Sequence, residues 1–224
     1  MRAIFLAAGR GYQMDGLNKT LIRVPWSGQP ILHHLVEAVR PYVDDITVVV
    51  GYNPIAVMQA FPDLHYVHNA QWATGGSAQS LALALDERPA LVCSADLILD
   101  AEHMGRLVRV GGNALLVESR ELRTASAVHC ALDGEGRITA LYDGQLRDPG
   151  HPEAVGVACV RDASLLAAWR HACKEHPGRF ATAVLPADVA PLAPVDVPGR
   201  PMFDLNTPDD YIRLLDHHRA RRYT

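Results

Sequence analysis

The sequence contains no C-x-x-C pair. Its four cysteines, Cys93, Cys130, Cys159 and Cys173, are scattered, which removes the thiol-based zinc and redox motifs. Three of the four lie in apolar, strand-like runs, so reduced, buried thiols in a cytoplasmic protein are expected. No apolar run reaches transmembrane length, and no membrane partner is expected. The first apolar run is short and leads straight into a glycine-rich loop, unlike a signal peptide. A basic excess is also missing. The formal net charge is −4, which argues against a nucleic-acid partner. The small cluster Arg219, Arg221 and Arg222 reads as the cationic end of a helix. Eleven histidines are present, but none shows a zinc-ligand spacing. The adjacent pairs His33-His34 and His217-His218 point to different helix faces.

What is present is an ordinary globular composition, 49% hydrophobic and 21% charged over 224 residues. That length suffices for one large α/β domain with a proper core. No repeat, low-complexity segment or linker divides the chain, so a single domain over residues 1–224 is expected, with a homodimer left open. Strand-like runs at 2–6, 46–50, 65–68 and 90–95 alternate with helical patterns at 30–39, 77–85 and 101–110. This alternation predicts a three-layer, mostly parallel α/β sheet. The second half changes character. Strand-like runs at 114–117, 125–131, 137–142 and 154–160, with a hairpin signal at 133–136, predict a small antiparallel extension. Helices are expected over 162–174 and after Thr207, which reads as an N-cap ahead of Pro208, Asp209 and Asp210.

Four segments fall where strands should end. The first is Leu6-Ala7-Ala8-Gly9-Arg10-Gly11, followed by Gln13, Met14 and Lys19. An apolar strand that breaks into glycines offers bare backbone N–H groups to phosphate, and a following lysine adds positive charge. It is not a dinucleotide fingerprint: Met14 replaces the third glycine, and no carboxylate ends the second strand. Nor is it a Walker loop, because Leu17 and Asn18 intervene between Gly16 and Lys19-Thr20. The second segment, 69–81, carries Gly75-Gly76 for close approach of a flat ligand. Ser77, Gln79 and Ser80 there offer hydrogen bonds at a helix start. The third ends in Asp96, a carboxylate directly after a buried strand and so at the ligand edge of the sheet, where Mg²⁺ needs an oxygen. The fourth holds Asp204 and Asn206, two apart on an extended segment and expected to share a face.

Together these segments resemble the nucleotidyltransferases that join a nucleoside triphosphate to a small phosphorylated acceptor. The family's opening L-A-A-G-x-G-x-R-M…K is matched by Leu6 through Met14 and Lys19. Gly28-Gln29-Pro30-Ile31, Val48 through Tyr52, and Phe203 through Tyr211 are similar to its later motifs. The stretch 69–81 and Asp96 resemble molybdenum cofactor and phosphocholine cytidylyltransferases. Glu153-Ala154-Val155-Gly156 resembles the E-x-x-G strand of phosphocholine and phosphonate cytidylyltransferases. The resemblance implies a Rossmann-like, nucleotide-diphospho-sugar transferase-like fold and NMP transfer, with CTP favoured, to a small phosphorylated or phosphonate acceptor. It also implies roles. Leu6, Ala7, Ala8, Gly9, Arg10, Gly11, Gly75, Gln79 and Ser80 would bind the nucleotide. Lys19 would neutralise its phosphates. Asp96, with Asp204 or Asn206, would hold Mg²⁺. Glu153 and Tyr142 would face the acceptor.

Three departures accompany the match. Gln13 stands where the family has an arginine, Asn206 replaces the usual aspartate, and Tyr142-Asp143 falls where many relatives have a lysine. A sugar-1-phosphate uridylyl- or guanylyltransferase is the runner-up. A nucleotide-binding regulatory domain without catalysis is the reading from another class.

Overall fold

Strand β1 (Arg2–Ala7) is apolar at every position after Arg2, so it can be buried on both faces. Ala3, Ile4 and Phe5 are fully inaccessible. It lies between β2 (Asp45–Val50) and β4 (Ala90–Ser94) and is parallel to both. β3 (His65–His68) adds a further parallel strand beside β2. Parallel neighbours need crossovers. Helices α1 (Ile31–Val39), α2 (Pro54–Ala60) and α3 (Ser77–Ala84) supply them. The structure, a computed structural model, describes residues 1–119, 127–198 and 202–220.

After β4 the chain forms a two-residue strand β5 (Leu97–Ile98), helix α4 (Ala101–Arg109) and strands β6 (Asn113–Glu118), β7 (Val128–Leu132), β8 (Ile138–Asp143) and β9 (Glu153–Val160). Helix α5 (Ala163–Glu175), strands β10 (Leu192–Asp196) and β11 (Phe203–Asp204), and helix α6 (Pro208–Ala220) follow. The nine-stranded sheet has the order β3-β2-β1-β4-β9-β6-β10-β8-β7, and β5 pairs separately with β11. The expected α/β architecture is present, as is the antiparallel portion. That portion is not confined to an edge, because β9 runs antiparallel between β4 and β6 in the middle of the sheet.

Alternation along β1 divides the core. Ala3, Phe5 and Ala7 join a cluster with Leu32, Leu35, Met104, Leu107 and Leu214 from α1, α4 and α6. Ile4 joins Leu81, Leu165, Leu166 and Trp169 from α3 and α5 on the other face. Period-two side-chain direction thus builds three layers from one strand. The start of α6 is a reciprocal cap. The Asp210 amide donates to Thr207 Oγ1 at 3.3 Å, and the Thr207 amide donates to the Asp210 carboxylate at 2.7 Å.

The elements that were not apparent from the sequence include β10 and α2. β10 carries Pro194, which cannot donate to a ladder. It is tolerated where β10 lies parallel to β6 and meets β8 only at Leu192↔Ile138. Helix α2 is one short piece behind Asn53, which adopts a left-handed conformation at φ 47°. The strand expected over 125–131 begins at Val128; residues 125 and 126 lie outside the described residues, as do Arg221 and Arg222. No helix among the described residues is long and apolar enough to cross a membrane.

Candidate active site

The carboxyl ends of β1 and β4 open into a cavity of about 470 Å³. Leu6 through Gln13 form one wall, Asn18, Lys19 and Thr20 the floor near Asp96, and Gly75, Gly76, Ser77 and Ser80 another side. The loop after β1 is folded by local bonds. Gly11 has φ 63°, and a Cβ there would stand 2.8 Å from the Leu17 carbonyl oxygen. The Gly11 carbonyl accepts from Met14 and Gly16 at 2.9 and 3.2 Å. Only glycine satisfies both the left-handed backbone and the close approach. Asn18 then caps a short 3₁₀ turn, Lys19–Leu21, accepting from the Thr20 amide at 3.2 Å. That turn aims Lys19 back beneath the loop.

Lys19 is the centre of the site. Its ammonium forms an ion pair with Asp96 and donates to Asn206 Oδ1 at 2.8 Å. The side chains are 17% and 24% exposed for Lys19 and Asp96, so water screens the pair only in part. Asp96 reaches this point from the end of β4. Asn206 arrives because the Leu205 amide donates to the Asp96 carbonyl at 3.2 Å, which ties the β11 segment to that strand end. Three residues far apart in sequence therefore converge at one point.

The expected shared face of Asp204 and Asn206 does not hold. The Asn206 amide donates back to the Asp204 carbonyl at 3.2 Å. The chain therefore bends at Leu205, and strand alternation no longer applies. Asn206 lines the cavity and Asp204 does not. Among the described residues, no group of three or more His, Cys, Asp or Glu could hold a metal ion. His34 and His218 pack against Trp26, with ring centroids 6.0 and 5.7 Å from it.

The nucleotide-binding residues named from sequence lie along the cavity, except Gln79. Gln79 packs on Gly75, and its amide donates to Gln71 Oε1 at 2.5 Å. Ser80 is nearly buried and accepts from Asn69 Nδ2 at 3.0 Å. Arg10 sits on the rim, its guanidinium carbon 5.3 Å from the Tyr12 ring and 5.5 Å from the Tyr52 ring. Gly76 makes a close approach, but to protein. A Cβ there would stand 2.3 Å from the Arg179 carbonyl oxygen. The Gly76 and Ala78 amides donate to the Pro177 and Arg179 carbonyls at 2.8 and 3.1 Å. The segment 177–181 and its Phe180, which lines the cavity, went unnoticed in the sequence. A single aromatic after a turn carries no periodic signal.

Glu153 and Tyr142 lie apart from this cavity. Register places Glu118, Glu153, His129 and Tyr142 in one row across β6, β9, β7 and β8. The Tyr142 hydroxyl is 2.9 Å from His151 Nδ1 and accepts from the Arg147 amide at 3.1 Å. The Arg147 guanidinium carbon stands 4.2 Å from the Tyr142 ring centroid. Tyr142 is thus a packed, bonded residue. Burial and then the nearby Glu153 carboxylate push the Cys130 thiol up to about 12.

Residues 3–161 match the MobA-like NTP transferase domain. The chain belongs to that family. The MobA-like chain is 42% identical over 60 residues to a molybdenum cofactor guanylyltransferase of Pseudomonas putida, covering 27% of this chain and 30% of that protein. It is 29% identical over 105 residues to the bifunctional protein GlmU of Methanococcus maripaludis, covering 45% of this chain and 26% of that protein. These matches span about a third or less of each curated relative. Two solved structures share the fold over nearly the whole chain. The CTP:phosphocholine cytidylyltransferase of Streptococcus pneumoniae has a TM-score of 0.73 at 14% identity, covering 96% of this chain and 98% of that one. The inositol-1-phosphate CTP transferase of T. maritima has a TM-score of 0.73 at 16% identity, covering 96% and 94%.

Proposed function

We propose that this MobA-like NTP transferase moves a nucleoside monophosphate, CMP from CTP by preference, onto a small phosphorylated or phosphonate acceptor and releases pyrophosphate. The observation that carries the reading is the convergence of Lys19, Asp96 and Asn206 beside the glycine loop. The acceptor oxygen forms a bond to the α-phosphorus as the bridging α–β bond breaks, and the electron pair leaves with pyrophosphate. An acceptor already anionic at neutral pH needs no general base. Catalysis on this reading is positioning plus charge neutralisation. Backbone N–H groups around residues 7–11 hold the phosphates, with Lys19 and Arg10 as the cations.

The donor set suits a hard divalent cation. The Asp96 carboxylate and the Asn206 carbonyl oxygen meet at one charged point, and two protein oxygens plus substrate phosphates are the usual holding of Mg²⁺. Asp96 and Asn206 would hold the ion; when bound, it supplies further charge neutralisation at the transferring group. Glu153 and Tyr142, in one row outside the cavity, are proposed for the acceptor side, with the whole chain acting as one domain. The similarity to a molybdenum cofactor guanylyltransferase favours GTP as the second reading.

A thermal-shift screen with CTP, UTP, GTP and ATP, each with Mg²⁺, tests the choice of nucleotide. A ligand at about a hundred times its dissociation constant stabilises by about 2.7 kcal/mol. CTP should give the largest shift. A clear purine preference would overturn the cytidylyl assignment and leave nucleotidyl transfer standing.

A further inference from the structure

Phe180 is 50% exposed although its segment is firmly tied down. On one side, the Pro177 and Arg179 carbonyls accept from the Gly76 and Ala78 amides. On the other, the Ala181 amide donates to Ser77 Oγ at 2.8 Å, and buried Trp169 donates from Nε1 to the Ala181 carbonyl at 2.8 Å. The Arg179 guanidinium pairs with Asp143 at 2.7 Å. A large apolar ring left half in water on an anchored segment stands ready to cover a ligand.

The cavity has two chemically different ends. Gly9, Arg10, Gly11 and Lys19 bring backbone amides and cations to one. At the other, the Gly76 and Ala78 amides are already spent on protein carbonyls, so this end has little to offer phosphate. Three aromatic residues line the cavity: Tyr12, Trp72 and Phe180. Tyr12 carries the Arg10 guanidinium, and Trp72 packs edge-on against Tyr52 at 5.3 Å. Phe180 has no ring or cation partner among the described residues.

We propose that Phe180 is the platform on which the nucleobase of the bound triphosphate stacks. The proposal rests on the nucleotide-transfer reading above. Every base has a π face, so the platform supplies affinity without choosing the base.

The test is calorimetric titration of wild type, Phe180→Ala and Phe180→Tyr with CTP, UTP, GTP, ATP and inorganic tripolyphosphate. Phe180→Ala should weaken each nucleotide the wild type binds by about tenfold, or about 1.4 kcal/mol, and leave tripolyphosphate affinity unchanged. Phe180→Tyr should restore nucleotide affinity. Hydrogen exchange of the Gly76 and Ala78 amides, which donate to the Pro177 and Arg179 carbonyls, reports whether segment 177–181 keeps its place, and it should not change. Equal loss of nucleotide and tripolyphosphate, or unchanged nucleotide affinity with a raised acceptor KM, overturns the proposal. Wild type that binds no nucleotide would instead overturn the transfer reading and this proposal with it.

Discussion

Lys19 and Asp96 join the glycine loop after β1 to the end of β4 through an ion pair that spans 77 residues of sequence. Asn206 accepts from the same ammonium. The pair places a cation and a carboxylate where the proposed reaction needs to meet a triphosphate and a divalent ion. Neither charge is deeply buried, so each can exchange its present partner for a ligand at modest desolvation cost.

Asp96→Asn should keep a hydrogen-bonding oxygen near Lys19 and remove the charge. Turnover should fall by about 100- to 1,000-fold, the scale of losing one preorganised charge contact. Circular dichroism should be unchanged, since Asp96 stands at a strand end with its side chain 24% exposed. Pyrophosphate release at the wild-type rate would remove Asp96 from the mechanism.

Asn206→Asp adds a second carboxylate opposite Asp96. Ligand charge tunes divalent-cation affinity, so the half-saturating Mg²⁺ concentration should drop about tenfold. A Mg²⁺ titration of initial rates measures it. An unchanged midpoint would mean that Asn206 does not face the ion.

All four cysteines are buried and unpaired by disulfides. Burial pushes the Cys173 thiol up to about 12, and burial followed by Asp96 raises Cys93 well above its ordinary value. The thiolate is the reactive form. Ellman's reagent at neutral pH should therefore find no fast-reacting thiol in the folded protein and four after unfolding in denaturant. A fast-reacting thiol in the native state would contradict this packing.

The Arg179 guanidinium bonds Asp143 and holds its carboxyl below the usual 3.8. A depressed carboxyl favours the folded state above its unfolded pKa, and that contribution is lost as pH falls through the lower folded value. Both side chains are about 40% exposed, so salt weakens the pair. Asp143→Asn should be less stable than wild type in urea at about pH 6, and the gap should close toward about pH 3. A gap that widens with acid would reverse the sign.

Where one residue type has one physical job, the sequence was readable. The unbroken apolar run of β1 could only be a buried strand, and Thr207-Pro208 could only open a helix. The convergence of Lys19 and Asp96 followed from two strand ends on the same sheet edge. Alternation failed at Asp204, because the bend at Leu205 is stabilised by a tertiary bond to the Asp96 carbonyl. Gly76 was read as room for a ligand. Its neighbour is Arg179, about a hundred residues away, and no local pattern encodes that contact. β10 was hidden by Pro194, which is permitted only by its particular place in the sheet.

The central claim is acceptor-dependent nucleotidyl transfer. Its most direct measurement is pyrophosphate release on mixing the protein with CTP, Mg²⁺ and a panel of small phosphorylated alcohols and phosphonates. The account predicts release that requires both Mg²⁺ and one acceptor class and that Asp96→Asn slows by about 100- to 1,000-fold. Tight nucleotide binding with no pyrophosphate from any nucleotide and acceptor pairing would contradict it.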